Sequence, residues 1–130
     1  MYMLDTNTVS YFFRQVPVIV NRLNVAGYTQ ICVSSVTAAE LIYGIEKRQN
    51  RQLRESVTLF LDTVPVYEWD LSVAITYGKL RNKMEINGRI MGDLDLMIAS
   101  HALHLEHTLI TNDKAFFMVP GLDVENWLTD

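Results

Sequence analysis

At 130 residues, with 49% hydrophobic and 20% charged side chains, the chain has the size and composition of one folded domain rather than of a disordered segment. Its formal charge of −4 lacks the basic footprint of most nucleic-acid binders, which leaves RNA neither excluded nor supported. No apolar run approaches the ~20 residues of a membrane span, Asp5 interrupts any signal-like start, and Cys32 stands alone, excluding an internal disulfide or a cysteine-based zinc site. A reducing, cytoplasmic setting is the expectation.

The periodicity alternates in chain order. Residues 1–5 read as a short strand, and 6–15 as a helix with Val9, Phe12 and Phe13 on one face. Pro17 suits the first turn of a second helix over 17–26, and Gly27 suits its end. A strand over 29–34 precedes helices over 36–48 and 50–63. Residues 64–69 read as a strand with Pro65 confined to its start. Asp70 suits the N-cap of a helix over 71–86, which Asn87-Gly88 ends. Asp93 or Asp95 begins the last helix, which ends before His107; strands over 108–111 and 122–127 close the chain. Strands alternating with helices imply βαβ units, hence one α/β domain over 1–130 with a mainly parallel sheet.

Four acids fall where strand gives way to helix. Asp5 closes the first apolar run, Glu40 follows Ile31-Cys32-Val33-Ser34, Asp95 opens Leu96-Met97-Ile98-Ala99, and Asp113 ends Thr108-Leu109-Ile110-Thr111. In an open α/β sheet the carboxyl ends of the strands share one edge, and ligands bind in the crevice there. Carboxylates gathered at that edge repel one another, and a hard divalent cation such as Mg²⁺ or Mn²⁺ relieves the repulsion. The pattern points to a metal-dependent phosphodiesterase. Taken singly, each acid also has a structural reading. Thr37-x-x-Glu40 is a capping-box pattern, Asp93 and Asp95 suit any helix start, and Asn112-Asp113 suits a turn.

Other features are less specific. His101, His104 and His107 recur every three residues, but lack the neighbours of a closed zinc site. Tyr11, Phe12 and Phe13 have the chemistry to stack bases, although packing is the commoner use at helical spacing. Gly44 inside a helix costs about 1 kcal/mol relative to Ala, which suggests close packing or a partner surface. The basic cluster of Lys47, Arg48, Arg51 and Arg54 is the best candidate for phosphate contact; Lys79, Arg81, Lys83 and Arg89 form a second cluster.

Four segments carry a family resemblance. Met3-Leu4-Asp5-Thr6-Asn7 resembles the opening of PIN-domain ribonucleases, and Ser34-Ser35-Val36-Thr37-Ala38-Ala39-Glu40-Leu41 with Gly44 their second motif. Gly92-Asp93-Leu94-Asp95-Leu96-Met97-Ile98-Ala99 followed by His101-Ala102 resembles the third, and Leu109-Ile110-Thr111-Asn112-Asp113 with Phe116 the fourth. The order and spacing are especially similar to VapC toxins of bacterial VapBC toxin–antitoxin pairs.

The resemblance implies a three-layer PIN-like fold and a Mg²⁺-dependent endoribonuclease toxin that cleaves structured RNA such as tRNA or ribosomal RNA. Mn²⁺ is a possible substitute. It further implies a catalytic quartet of Asp5, Glu40, Asp95 and Asp113, supported by Thr6, Asn7 and Thr111. Asp5 and Asp95 are the expected direct metal ligands, with Glu40 and Asp113 as further candidates. The implied partners are RNA, a second copy of the chain, and a VapB-type antitoxin in a groove with a basic side chain reaching the acids. Asp93 departs from the pattern, because many relatives carry an apolar residue or proline there. Two alternatives stand beside this reading: a receiver-type Mg²⁺-binding signalling module and a non-catalytic PIN scaffold.

Overall fold

The computed structural model describes residues 1–129. Strand β1 (Tyr2–Leu4) leads into helices α1 (Thr6–Phe13) and α2 (Pro17–Ala26), then β2 (Ile31–Ser34). Helices α3 (Ser35–Arg48) and α4 (Arg51–Thr63) precede the two-residue β3 (Val66–Tyr67). Helices α5 (Leu71–Ile86) and α6 (Asp93–Leu105), then β4 (Thr108–Ile110) and β5 (Val124–Glu125), complete the order.

The five strands form one sheet in the order β3-β2-β1-β4-β5, and every pairing is parallel. Met3 stands between Cys32 and Leu109, and Leu4 beside Ile110. Side chains alternate across a strand, so neighbours in this register divide between two cores. Leu4, Val33 and Ile110 pack with Val9, Ile19 and Phe60 from the α1, α2 and α4 side. Met3, Cys32 and Leu109 pack with Met84, Leu96 and Ala99 from α5 and α6. The result is three layers. Both sheet faces are covered, which is why the central strands read as unbroken apolar runs rather than alternating ones. Each fully buried aliphatic side chain here contributes roughly 1.5–3 kcal/mol.

Several expected boundaries shift, each for a local reason. Helix α1 stops at Phe13, and Gln15 adopts a left-handed φ of 58° just ahead of Pro17. Residues Tyr28–Gln30 form a 3₁₀ turn, so β2 begins only at Ile31. The strand expected over 64–69 shrinks to two residues: the Val64 N–H closes α4 on the Phe60 carbonyl, and the Trp69 N–H donates to Ser35 Oγ. Pro65 sits just outside the strand, and its carbonyl accepts from Val33. The strand expected over 122–127 is likewise reduced to Val124–Glu125. Asp70 and Gly27 do cap their helices as expected.

The three histidines diverge. His101 Nδ1 shares a 2.7 Å hydrogen bond with Ser34 Oγ, His104 Nδ1 one of 2.9 Å with Thr76 Oγ1, and His107 Nδ1 lies 3.4 Å from Cys32 Sγ. Among the described residues no group of three or more His, Cys, Asp or Glu side chains converges closely enough to hold a metal ion by itself. His101 is buried (1% exposed), and burial pushes its imidazole down to about 4. In the unfolded chain it takes a proton near pH 6.5. Folding therefore excludes a proton between those values, and stability falls as pH drops from about 6.5 toward 4. His101→Gln removes that titration. The stability advantage of wild type over this variant, measured by urea unfolding, should shrink by about 1–2 kcal/mol between pH 7 and pH 5. An unchanged difference would contradict a neutral buried ring.

Candidate active site

Strand β1 is the point at which the chain changes direction across the sheet, with β2 on one side and β4 on the other. A crevice opens at the carboxyl ends of strands at such a switch. Asp5 follows β1 directly and residues 111–113 follow β4, so both loops border it.

Asp5 is 4% exposed and serves as the N-cap of α1, its Oδ1 accepting from the Thr8 N–H at 2.8 Å. The Thr8 hydroxyl donates to the Ile110 carbonyl at 3.1 Å, tying α1 to β4. Burial raises the Asp5 carboxyl above the ordinary range, and the charge of Asp113 adds to the rise. Hydrogen bonds from Thr111 and Thr8 oppose it. Asp113 caps the short 3₁₀ helix Lys114–Met118 through Ala115 N–H, and its own N–H donates to Thr111 Oγ1. Thr111 thus touches both acids.

Glu40 lies in the second turn of α3, and Thr6 Oγ1 donates to its Oε1 at 2.6 Å. Asp95 lies in the first turn of α6. Burial raises the Asp95 carboxyl, and the charges of Asp113, Glu40 and Asp5 raise it further in that order. The structure therefore brings all four expected acids into one electrostatic neighbourhood. The N-termini of α1, α3 and α6 point their positive dipole ends toward the same edge, a partial offset to four negative charges.

Particular expectations change. The capping box proposed for Thr37 and Glu40 does not form: Ser34 is the N-cap of α3, and Glu40 is held across helices by Thr6 instead. Asn7 is exposed on α1, outside the hydrogen bonds that link Asp5, Thr8, Thr111 and Asp113. Asp93 faces away from the acids, 3.6 Å from an Arg81 guanidinium nitrogen, which leaves Asp95 as the α6 carboxylate of the crevice. Thr8 escaped the sequence reading, although Asp-x-x-Thr after a strand is itself a capping signal. In the basic cluster of residues 47–54, Arg51 pairs with Glu55 and Arg54 with Glu46, while Lys47 sits over the Tyr43 ring.

None of the ion pairs among the described residues reaches Asp5, Glu40, Asp95 or Asp113. The donors at the crevice are carboxylate and hydroxyl oxygens, a set that suits a hard divalent cation. Mg²⁺ retains several waters and takes only one or two carboxylates directly, so it does not require three converging side chains, of which no group is found among the described residues.

Beside the acids runs a groove of about 590 Å³ whose lining includes Thr6, Phe13, Glu40, Tyr43, Gly44 and Met97. A Cβ placed on Gly44 would meet nothing within 4 Å, so the close packing expected there is absent. On α1 and α3, Val9 and Ile45 belong to the core, whereas Ile42 and Tyr43 remain 48% and 65% exposed. Tyr11 hydrogen-bonds Asn112 in the β4 loop, and Phe12 and Phe13 pack on Phe60. Base stacking by these rings is therefore replaced by packing.

Residues 2–122 match the PIN domain family. The chain is 37% identical to Ribonuclease VapC2 of Rickettsia felis over 131 residues, covering 98% of each chain. It is 34% identical to the tRNA(fMet)-specific endonuclease VapC of Shigella flexneri over 128 residues, covering 97% of each. Its fold is similar to that in the DNA-bound VapBC structure from Salmonella typhimurium, with a TM-score of 0.90 and 32% identity over 97% of both chains. The VapBC2 structure from Rickettsia felis, bound to a promoter DNA fragment, gives a TM-score of 0.89 at 35% identity, covering 97% of this chain and 98% of that one. The chain belongs to the PIN-domain family, on its VapC ribonuclease branch.

Proposed function

We propose that the protein is a Mg²⁺-dependent endoribonuclease toxin held inactive by a VapB-type antitoxin. The observation that carries this reading is the coupling of Asp95 to Asp5, Glu40 and Asp113 at the sheet's switch point. Structured RNA is the proposed substrate class, and the similarity to a tRNA(fMet)-specific endonuclease favours tRNA over ribosomal RNA. A cytoplasmic setting accords with the buried, reduced Cys32. No helix among the described residues is long and apolar enough to cross a membrane.

Asp5 and Asp95 are the proposed direct ligands, Mn²⁺ being an acceptable substitute. When bound, the cation supplies Lewis acidity toward a phosphate oxygen and lowers the pKa of a water. Thr6 holds Glu40 Oε1, leaving Oε2 to take a proton from the attacking water. Asp113, oriented through Ala115 and Thr111, belongs to a second and weaker position. Thr8 and Thr111 keep Asp5 in place.

The antitoxin is proposed to occupy the groove beside Glu40, with a basic side chain directed at the acids. A second copy is proposed to cover apolar side chains that α5 leaves exposed, among them Leu71, Ile75 and Ile86. The receiver-type alternative sits poorly with the sheet: flavodoxin-like modules carry the order 2-1-3-4-5. A non-catalytic scaffold would be expected to have lost one or more of these acids, and the chain retains all four.

Asp95→Asn tests the assignment. Cleavage should fall by well over tenfold while the fold survives, and activity within about tenfold of wild type (~1.4 kcal/mol of barrier) would reject it. The metal-free protein should respond in the opposite sense. A carboxyl raised in the folded state binds extra protons there above pH 4, so it lowers stability as pH rises through its folded value. Asp95→Asn should therefore melt higher than wild type at pH 7 without metal, with the gain shrinking toward pH 4. Mg²⁺ should stabilise the variant less, by mass action.

Tyr43→Glu tests the groove. Tyr43 lines it but hydrogen-bonds none of the four acids, so the charge should weaken antitoxin co-purification and leave RNA cleavage by the free toxin within a few-fold of wild type. Antitoxin binding equal to wild type would move the partner elsewhere.

A further inference from the structure

Trp69 lies two residues beyond the short β3, in a segment with no strand pairing of its own. It nonetheless joins three helices. Its backbone N–H donates to Ser35 Oγ at 3.0 Å, on the first residue of α3. Its indole Nε1–H donates to the Met97 carbonyl at 2.9 Å, two residues beyond Asp95 on α6. Its ring meets Tyr77 of α5 edge-on, with centroids 5.7 Å apart. Tyr77 in turn accepts from Arg81 at 2.8 Å, and Arg81 reaches Asp93 at the start of α6.

The first turn of α6 needs such ties. Its N-cap, Gly92, has no side chain to satisfy the leading N–H groups, whereas Ser34, Asn50 and Asp70 cap α3, α4 and α5. An uncapped first turn frays more readily, and this one carries Asp95. Glu40 and Asp95 sit on different helices with no direct bond between them. Ser34 and His101 link α3 to α6 deeper in the core, whereas Trp69 hydrogen-bonds α3 at its first residue and α6 two residues beyond Asp95.

We propose that Trp69 is a positioning residue that sets the spacing of the Glu40 and Asp95 carboxylates, and so the affinity of the crevice for a divalent cation. This inference rests on the metal-site reading above. It extends that reading to a side chain that touches neither metal nor substrate. Removing the indole N–H should let the first turn of α6 drift without emptying the layer between α5 and α6. Outer groups that orient metal ligands typically change metal affinity by about 10–100-fold when lost.

Trp69→Phe keeps a ring against Tyr77 and removes only the donor. Ser35→Ala removes the acceptor at the other end. Trp127→Phe is the matched control: its indole also donates, to Glu125 at 3.1 Å, but its ring packs on Tyr2 at the opposite end of β1 from Asp5. Mg²⁺ binding would be measured by calorimetry on each folded, RNA-free protein, with melting temperature recorded alongside. The expected result is a Mg²⁺ dissociation constant raised roughly tenfold in Trp69→Phe, raised in the same direction in Ser35→Ala, and within about twofold of wild type in Trp127→Phe. RNA cleavage by Trp69→Phe should recover toward wild type as Mg²⁺ is increased, a split that general destabilisation does not produce. Wild-type binding with Trp69→Phe indistinguishable from it, or with Trp127→Phe equally impaired, would overturn the positioning role. A wild type that binds no Mg²⁺ would overturn the metal-site reading beneath it.

Discussion

Mutual repulsion among four carboxylates is the constraint around which the rest of the molecule is arranged. Asp5 is almost fully buried, and Asp95 is raised by burial and by its three acidic neighbours. Such a cluster weakens the fold, since like charges at short range and in low dielectric oppose one another. No ion pair among the described residues offsets it, because each of the five pairs engages an acid elsewhere. The surrounding hydroxyls of Thr6, Thr8 and Thr111 hold the acids in place without neutralising them. In the function proposed above, an external positive charge completes this arrangement, either a cation between the oxygens or a basic side chain from the antitoxin. On that proposal, catalysis and inhibition compete for the same negative potential.

The fold concentrates that potential at little cost in chain. Three central strands of only three or four residues deliver Asp5, the start of α3, and the Thr111–Asp113 loop to one edge. Layers on both sides bury the strands, so the crevice has rigid walls. Two of the acids double as caps, Asp5 for α1 and Asp113 for the turn after β4. Their orientation is thus fixed by the same hydrogen bonds that start those elements, and structural and chemical readings of them are complementary. Asp93 shows the contrast: exposed and paired with Arg81, it steadies the α6 terminus from outside the crevice.

Most of this architecture is legible in the residues. Proline, glycine and cap signals located α2 and α5 to the residue, because those signals are local and steric. Asp5, Asp95 and Asp113 announce themselves by following or preceding apolar runs. Glu40 does not, since Thr37-x-x-Glu40 mimics a cap, and only the tertiary bond from Thr6 reveals its direction. The short edge strands were overread because their length depends on what lies beside them: Val64 and Trp69 spend their N–H groups on α4 and α3. The burial of Val9 and Ile45 beside exposed Ile42 and Tyr43 is hidden from the sequence for a related reason. Helical periodicity identifies an apolar face but not which neighbour covers it. Trp69 carried no signal at all, as its role arises from three contacts distant in sequence.

The central claim is that carboxylates from four separate segments gather at one crevice and draw a divalent cation there. Paramagnetic line broadening tests it most directly. Mn²⁺ would be added in substoichiometric amounts to isotopically labelled, RNA-free protein, and signals followed residue by residue. The account predicts selective broadening at Asp5, Glu40, Asp95 and Asp113 and their immediate neighbours, reversed by excess Mg²⁺, with the signals of His104 and His107 left sharp. Broadening centred on the histidines, or spread evenly over the surface acids, would contradict it.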